Sequence, residues 1–307
     1  MHPTASRIVH LRHPLDLRTT LAPLRQGRHD PTIRLGPDCC WRATRTPEGP
    51  VTTHLRVAGG ELTVEAWGPG GTWAVEHACR LVGLDGKDAD NEREDILAAY
   101  HRLVADLARR LPGLRIPRSL AVAEALLPTV IEQKVTGIEA KRSYRALVFA
   151  LGEPAPGPPG LMVPPAPAAL ASAPSWVYHR AGVERRRAET IARAMARAPR
   201  LEETAAMALP DAYHRLEAIP GVGPWTAATV ALMALGDADA VPLGDYHLPD
   251  QVSWGLAGDP RGDDERMLEL LEPYRGHRAL VLRLLVAGGI QAPRRGPRLA
   301  PRVIAAR

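Results

Sequence analysis

The sequence predicts an α+β protein, with a β-rich N-terminal domain followed by an all-helical region. Three observations carry this. Thr53-His54-Leu55-Arg56-Val57 alternates polar and apolar residues, Gly59-Gly60 supplies turn residues, and Glu61–Trp67 resumes the alternation. From about residue 91 the apolar residues switch to helical spacing, as in Ile96, Leu97, Tyr100, Leu103, Val104 and Leu107. Further on, Ile219-Pro220-Gly221-Val222-Gly223-Pro224 interrupts two helical stretches, and the second resumes at once.

In chain order, "LDLRTTLAPLRQG" reads as a short helix or turn, and residues 32–77 as an antiparallel sheet of about four or five strands. Residues 91–111 read as one helix, acidic early and arginine-rich late as the helix dipole favours, ended by Pro112-Gly113. Residues 119–153 read as two helices, with Ser119 as the N-cap of the first. The proline- and glycine-dense stretch 154–175 is expected to hold neither helix nor strand. Helical periods return in "RRRAETIARAMARA", "PDAYHRLEAI", "TAATVALMAL" and "DERMLELLEPYRGHRALVLRLLVAGG", with no internal repeat of fixed period. The expected division is a sheet domain over 1–90, a helical region over 91–292 with its hairpin at about 211–235, and a basic tail over 293–307.

Composition narrows the class. The 307 residues suffice for one large domain or two ordinary ones. At 45% hydrophobic and 24% charged the chain is not of the disordered kind. It has no uninterrupted apolar run long enough to span a bilayer, so no membrane partner is expected. The first residues carry positive charge without the apolar core of a secretory signal. Cys39, Cys40 and Cys79 give neither a disulfide framework nor a zinc spacing and suit a reducing cytoplasm. A net charge of +5 is compatible with a polyanionic partner. The tail has five arginines and no acid, which reads as a frayed solvated end or as nonspecific attraction to phosphate.

The chemistry starts at the break near residue 220. Glycine permits a tight turn and removes the side chain that would block a close approach. Pro224 suits the first turn of a helix, where its missing N–H is no loss. The Gly221 and Gly223 amides at such a helix start would face outward as an anion site that a DNA phosphate fits. An ordinary helical hairpin with glycines for close packing is the other reading. Twenty residues past Trp225, Asp245 follows Val241-Pro242-Leu243-Gly244, a carboxylate in a mostly apolar loop rather than on a solvated helix face.

The pattern L-x-x-I-P-G-V-G-P-W-T-A followed by V-P-x-x-D-x-H resembles the helix-hairpin-helix superfamily of DNA repair glycosylases, and within it the bacterial 3-methyladenine glycosylase II branch. The resemblance is strong from roughly residue 119 to 285 and weak over the first hundred. It implies a helix-hairpin-helix glycosylase region with Asp245 as the catalytic carboxylate. The hairpin from Ile219 to Thr226 becomes a phosphate clamp using Gly221, Val222, Gly223 and Thr226. The carbonyls of Glu217, Ile219 and Val222 match those that hold a structural monovalent cation. Trp225 and Tyr274 match base-pocket positions, and Thr229 stands where the family has a pocket aromatic. In "VIEQKVTG", Gln133 matches a family residue, while Lys134 takes the place of an apolar wedge. Arg275, with His277 and Arg278, is expected on phosphate, and His247 as a structural hydrogen-bonder.

What this implies is a monofunctional enzyme on alkylated purines such as 3-methyladenine. Trp225 sits where bifunctional relatives place a lysine, and an indole cannot form a Schiff base. No iron–sulfur cluster is expected, since no cysteine follows residue 79. The substrate would be duplex DNA with a damaged base, flipped out and stacked on aromatic rings, and the hairpin mode needs only a monomer. Two alternatives stay open: a non-catalytic hairpin DNA-binding protein, and a glycosylase for another base such as oxidised guanine.

Overall fold

The computed structural model describes residues 2–84 and 96–293. Five strands form one antiparallel sheet: β1 (Ala5–His10), β2 (Ile33–Leu35), β3 (Cys39–Thr46), β4 (Gly49–Ala58) and β5 (Glu61–Trp67), in the order β1-β5-β4-β3-β2. The expected hairpin is present. Ala58 pairs with Glu61 across Gly59-Gly60, whose φ values of +58° and +76° a two-residue turn of this hand requires. β1 lies in a segment for which the sequence predicts no strand. The short helix Leu17–Leu21, capped by the Asp16 carboxylate, packs its leucines with Leu55, Leu62 and Val64 under the sheet.

The helical region corrects three expectations. The helix predicted over 91–111 is interrupted: His101 is extended and accepts a hydrogen bond from Leu103 N as the N-cap of Arg102–Arg110, leaving Tyr100 60% exposed. Residues 91–95 of that reading lie outside the described residues. Ser119 does not cap the next helix, Val122–Glu132. The Glu202 carboxylate does so from 80 positions away, accepting from Val122 N and Ala123 N at 2.9 Å each. The proline-rich 154–175 stretch is ordered, with a two-residue ladder between Glu153–Pro154 and Met162–Val163 and a helix over Pro167–Ser172. Leu161 and Val163 pack on Ala43 and Trp41 and cover the sheet's second face.

Two apolar cores organise the helices. One gathers Val122–Glu132, Gly137–Leu151, Arg185–Met195 and the two hairpin helices, Leu209–Glu217 and Pro224–Val230. The other gathers Arg102–Arg110, Leu248–Ala257, Asp264–Leu271 and Arg278–Ala287. The second hairpin helix runs on as a π-turn over Ala231–Leu235 and stops at Gly236, which is left-handed at φ +72°. Ser119 N and Leu120 N satisfy the Met233 and Ala234 carbonyls there. Of the expected tail over 293–307, residues 294–307 lie outside the described residues.

Candidate functional site

The hairpin turns at Gly221, where φ is +99° and a methyl group would lie 2.3 Å from Thr190 Oγ1. Only glycine fits there. Gly223 is different: its backbone is ordinary and a side chain would enter open space outside the protein. The Gly221 and Gly223 amides bond to no carbonyl among the described residues. The turn's carbonyls are held from behind, since Arg193 donates to Pro220 O at 2.9 Å and Gln133 to Gly221 O at 3.0 Å.

Asp245 is fixed across the seam between the two helical cores. Its Oδ2 accepts from the Trp225 indole at 2.9 Å, and its Oδ1 accepts from His247 N and Leu248 N at 2.8 and 2.9 Å. Trp225 opens the second hairpin helix in one core, whereas His247 and Leu248 open the helix Leu248–Ala257 of the other. The loop between is pinned along its length. Tyr213 Oη donates to Asp237, Asp239 accepts from Gly276 N and Arg278, and Gly244 N donates to Asp264. A half-buried carboxylate beside a half-buried indole, held by three donors, is what this arrangement presents to solvent.

Other expected site residues distribute unevenly. Thr229 lies one turn beyond Trp225 and donates to its carbonyl at 2.8 Å. Thr226 is 2% exposed and accepts from Gln133 Nε2 at 2.9 Å, so both residues brace the hairpin from inside rather than reaching outward. Tyr274 departs furthest from expectation. Its ring is fully buried in the second core, edge-on to Tyr100, so it lines no open pocket. Arg275 is exposed but binds Glu272, and Arg278 is bidentate to Asp239 at 2.8 and 2.5 Å, which takes it out of reach of a phosphate. The Asp239 pairing raises the Arg278 guanidinium further above its ordinary range, outweighing burial. Lys134 is exposed and left-handed at φ +55° in the link to the capping box Thr136/Glu139. His247 acts through its backbone, and its ring makes an edge contact with the exposed Tyr246. The Glu217, Ile219 and Val222 carbonyls lie on the hairpin, and Ile219 O accepts from Val222 N. No group of three or more His, Cys, Asp or Glu suited to a metal occurs among the described residues.

Sequence reasoning missed Glu132. It ends the helix that precedes Gln133, and burial above all pushes its carboxyl above the ordinary glutamate range. Its burial comes from the packing of that helix, which no local spacing in the sequence shows.

No protein-family model matches the chain. A 178-residue stretch, 57% of the chain, is 35% identical to the probable bifunctional transcriptional activator/DNA repair enzyme AlkA of two Mycobacterium tuberculosis strains. The match covers 35% of those proteins, so the chain spans about a third of the length of the curated relatives it matches. Among solved structures, a 3-methyladenine DNA glycosylase from Archaeoglobus fulgidus aligns with TM-score 0.78 at 20% identity, over 91% of this chain and 97% of that one. A Clostridium acetobutylicum 8-oxoguanine glycosylase/lyase, in complex with DNA containing cytosine opposite 8-oxoG, aligns with TM-score 0.68 at 14% identity, over 93% and 95%. In sequence and in fold, the chain resembles the helix-hairpin-helix DNA glycosylases, the group to which its hairpin and Asp245 point.

Proposed function

We propose that this chain is a monofunctional DNA glycosylase of base excision repair that hydrolyses the N-glycosidic bond of alkylated purines. The observation that carries the reading is the Trp225–Asp245 hydrogen bond, which ties a carboxylate to the residue two positions after Gly223 in the chain. A DNA strand gripped by the Gly221 and Gly223 amides would have a neighbouring nucleotide within reach of that carboxylate. An N-alkylated purine is cationic and leaves readily. The protein's task is then to stabilise the oxocarbenium-like sugar, which the Asp245 carboxylate does electrostatically, and to admit water to C1′. The Trp225 face attracts the cationic base, an interaction of about 0.5–2 kcal/mol.

The Glu217, Ile219 and Val222 carbonyls would hold a monovalent cation that bridges the hairpin to a phosphate oxygen. The exposed turn, braced from behind by Arg193 and Gln133, is compatible with that. The partner is duplex DNA carrying a damaged base, and one chain suffices for the contact. Among the described residues no helix is long and apolar enough to cross a membrane. The reading places the protein in the cytoplasm, in keeping with three free cysteines.

The test is release of free base from a methylated duplex by the wild-type chain, together with loss of release in Asp245→Asn. Intact abasic strands, cleaved only after alkali, are expected because Trp225 offers no amine. A duplex carrying oxidised guanine separates the second reading, which the fold likeness to an 8-oxoguanine glycosylase/lyase favours and Trp225 opposes. Binding without base release from either duplex would leave a DNA-binding protein.

A further inference from the structure

Alongside the first hairpin helix lies a cleft to which the glycosylase reading gives no part. It encloses about 230 Å³ and is lined by Arg197, Arg200, Leu201, Arg215, Ala218 and Ile219. Half of that lining is arginine and none of it is acidic, while the other three side chains are apolar. Ala218 and Ile219 lead directly into Pro220-Gly221, so the cleft abuts the turn whose amides face outward.

Backbone carbonyls hold these arginines in a line leading away from the turn. Arg193, on the helix Arg185–Met195, donates to Pro220 O at 2.9 Å, and Arg197, one turn further, donates to Arg193 O at 3.4 Å. Arg215, on the helix Leu209–Glu217, donates to Arg200 O at 3.2 Å and pairs with Glu203. Elsewhere, the exposed Arg185 and Arg275 are neutralised by Glu189 and Glu272. Arg197 and Arg200 are just as exposed, yet neither pairs with a carboxylate among the described residues. Of the acids next to the cleft in the chain, Glu202 caps Val122–Glu132, Glu203 is taken up by Arg215, and Glu217 is exposed beside Ala218.

We propose that Arg197 and Arg200, with Arg215 beside them, form a second phosphate site that takes the DNA backbone beyond the phosphate gripped by the turn. It serves binding to duplex whether or not a damaged base is present. This rests on the reading of the hairpin as a DNA clamp. In the direction of the first hairpin helix, a strand held by the Gly221 and Gly223 amides meets this cleft next. A guanidinium is permanently charged, weakly hydrated, and offers a planar fork that matches two phosphate oxygens. The turn anchors the strand, so the neighbouring phosphates reach the arginines at high local concentration. Apart from the arginines the lining has no polar side chain to read a base edge, so what the cleft adds is independent of sequence and lesion.

The experiment measures binding of the full chain to an undamaged duplex, between about 50 and 200 mM salt. Arg197→Ala/Arg200→Ala is expected to weaken binding about tenfold at the low-salt end and to lower the slope of log affinity against log salt by about two. Both side chains are exposed, so this variant should melt with the wild type. Arg197→Lys/Arg200→Lys, which keeps the charges, should recover most of the slope. Glu203→Gln, which releases Arg215, should tighten binding. A second readout uses duplexes with one uncharged methylphosphonate linkage, moved along the strand. Neutralising the phosphate that the cleft holds should weaken the wild type and leave the double alanine variant unaffected, a non-additivity that only direct contact produces. An unchanged affinity and slope in that variant, or losses that add at every linkage, would overturn the proposal. Weakened binding in Gly223→Val with none in the double alanine variant removes this site and keeps the hairpin clamp. A wild-type chain with no salt-dependent DNA binding overturns the clamp itself.

Discussion

Asp245 accepts three hydrogen bonds from two directions, one from an indole and two from the backbone that opens the next helix. Replacing it with asparagine keeps the shape but puts an amide where a full negative charge stood. Turnover is expected to fall about 10²–10³-fold, the scale of losing one electrostatic stabiliser at a reacting centre. Affinity for an abasic-site duplex should hold or rise, since a charge repelled by phosphate is gone, and fluorescence anisotropy reads that directly. Glu132 gives a second prediction, independent of catalysis. Its folded-state pKa is raised, so its contribution to stability is present below the ordinary glutamate value and is lost as pH rises through the raised one. Glu132→Gln has no such titration. Its melting temperature relative to wild type should therefore climb from acid to neutral pH, and a pH-independent difference would show that the group is not desolvated in the folded chain.

Within the hairpin, two glycines separated by one residue do different work. Gly221 lies in the left-handed region against Thr190, so Gly221→Ala should destabilise the protein by about 1–3 kcal/mol in denaturant unfolding. Gly223 has ordinary φ and open space beyond it, so Gly223→Val should melt close to wild type. What it should lose is DNA affinity, because the branched side chain occupies the notch where a strand would approach, and with it part of the salt dependence of binding. The sequence alone could not separate the two residues, because positive φ and the Thr190 contact are properties of the folded turn. Much else at this scale was legible. The Gly59-Gly60 hairpin, the helices over 137–151, 185–195 and 209–217, and the break at Pro112-Gly113 all follow from local spacing and turn chemistry. The short helix hidden in the proline-rich 154–175 stretch was not legible, because its order comes from Leu170 packing into the first helical core.

Across the whole molecule, a buried cluster helps fasten the sheet to the helices. Arg42 on β3 pairs with Glu124 at 2.6 Å, and Thr44 donates to the same carboxylate at 2.5 Å, with Arg42 almost wholly buried. Glu124→Ala strands that guanidinium, and the loss expected is about 3–5 kcal/mol, measured by chemical denaturation. Glu124→Leu paired with Arg42→Met should recover most of it, because an apolar pair of similar volume removes both desolvated charges. The sheet therefore bears on the site indirectly, through the helix that runs from Glu124 to Glu132 and on to Gln133.

By itself, the sequence determined the class of the fold, the hairpin and its glycines, and the acid twenty residues beyond it, because each is written in spacings of a few residues. The tertiary structure alone decided which groups meet. It gave Glu202 the cap expected of Ser119, tied Arg278 to Asp239, buried Tyr274, and bonded Trp225 to Asp245. Those outcomes join positions 20 or more apart or depend on how two apolar cores close on each other. Periodicity shows which face of an element is apolar and is silent on what that face will touch.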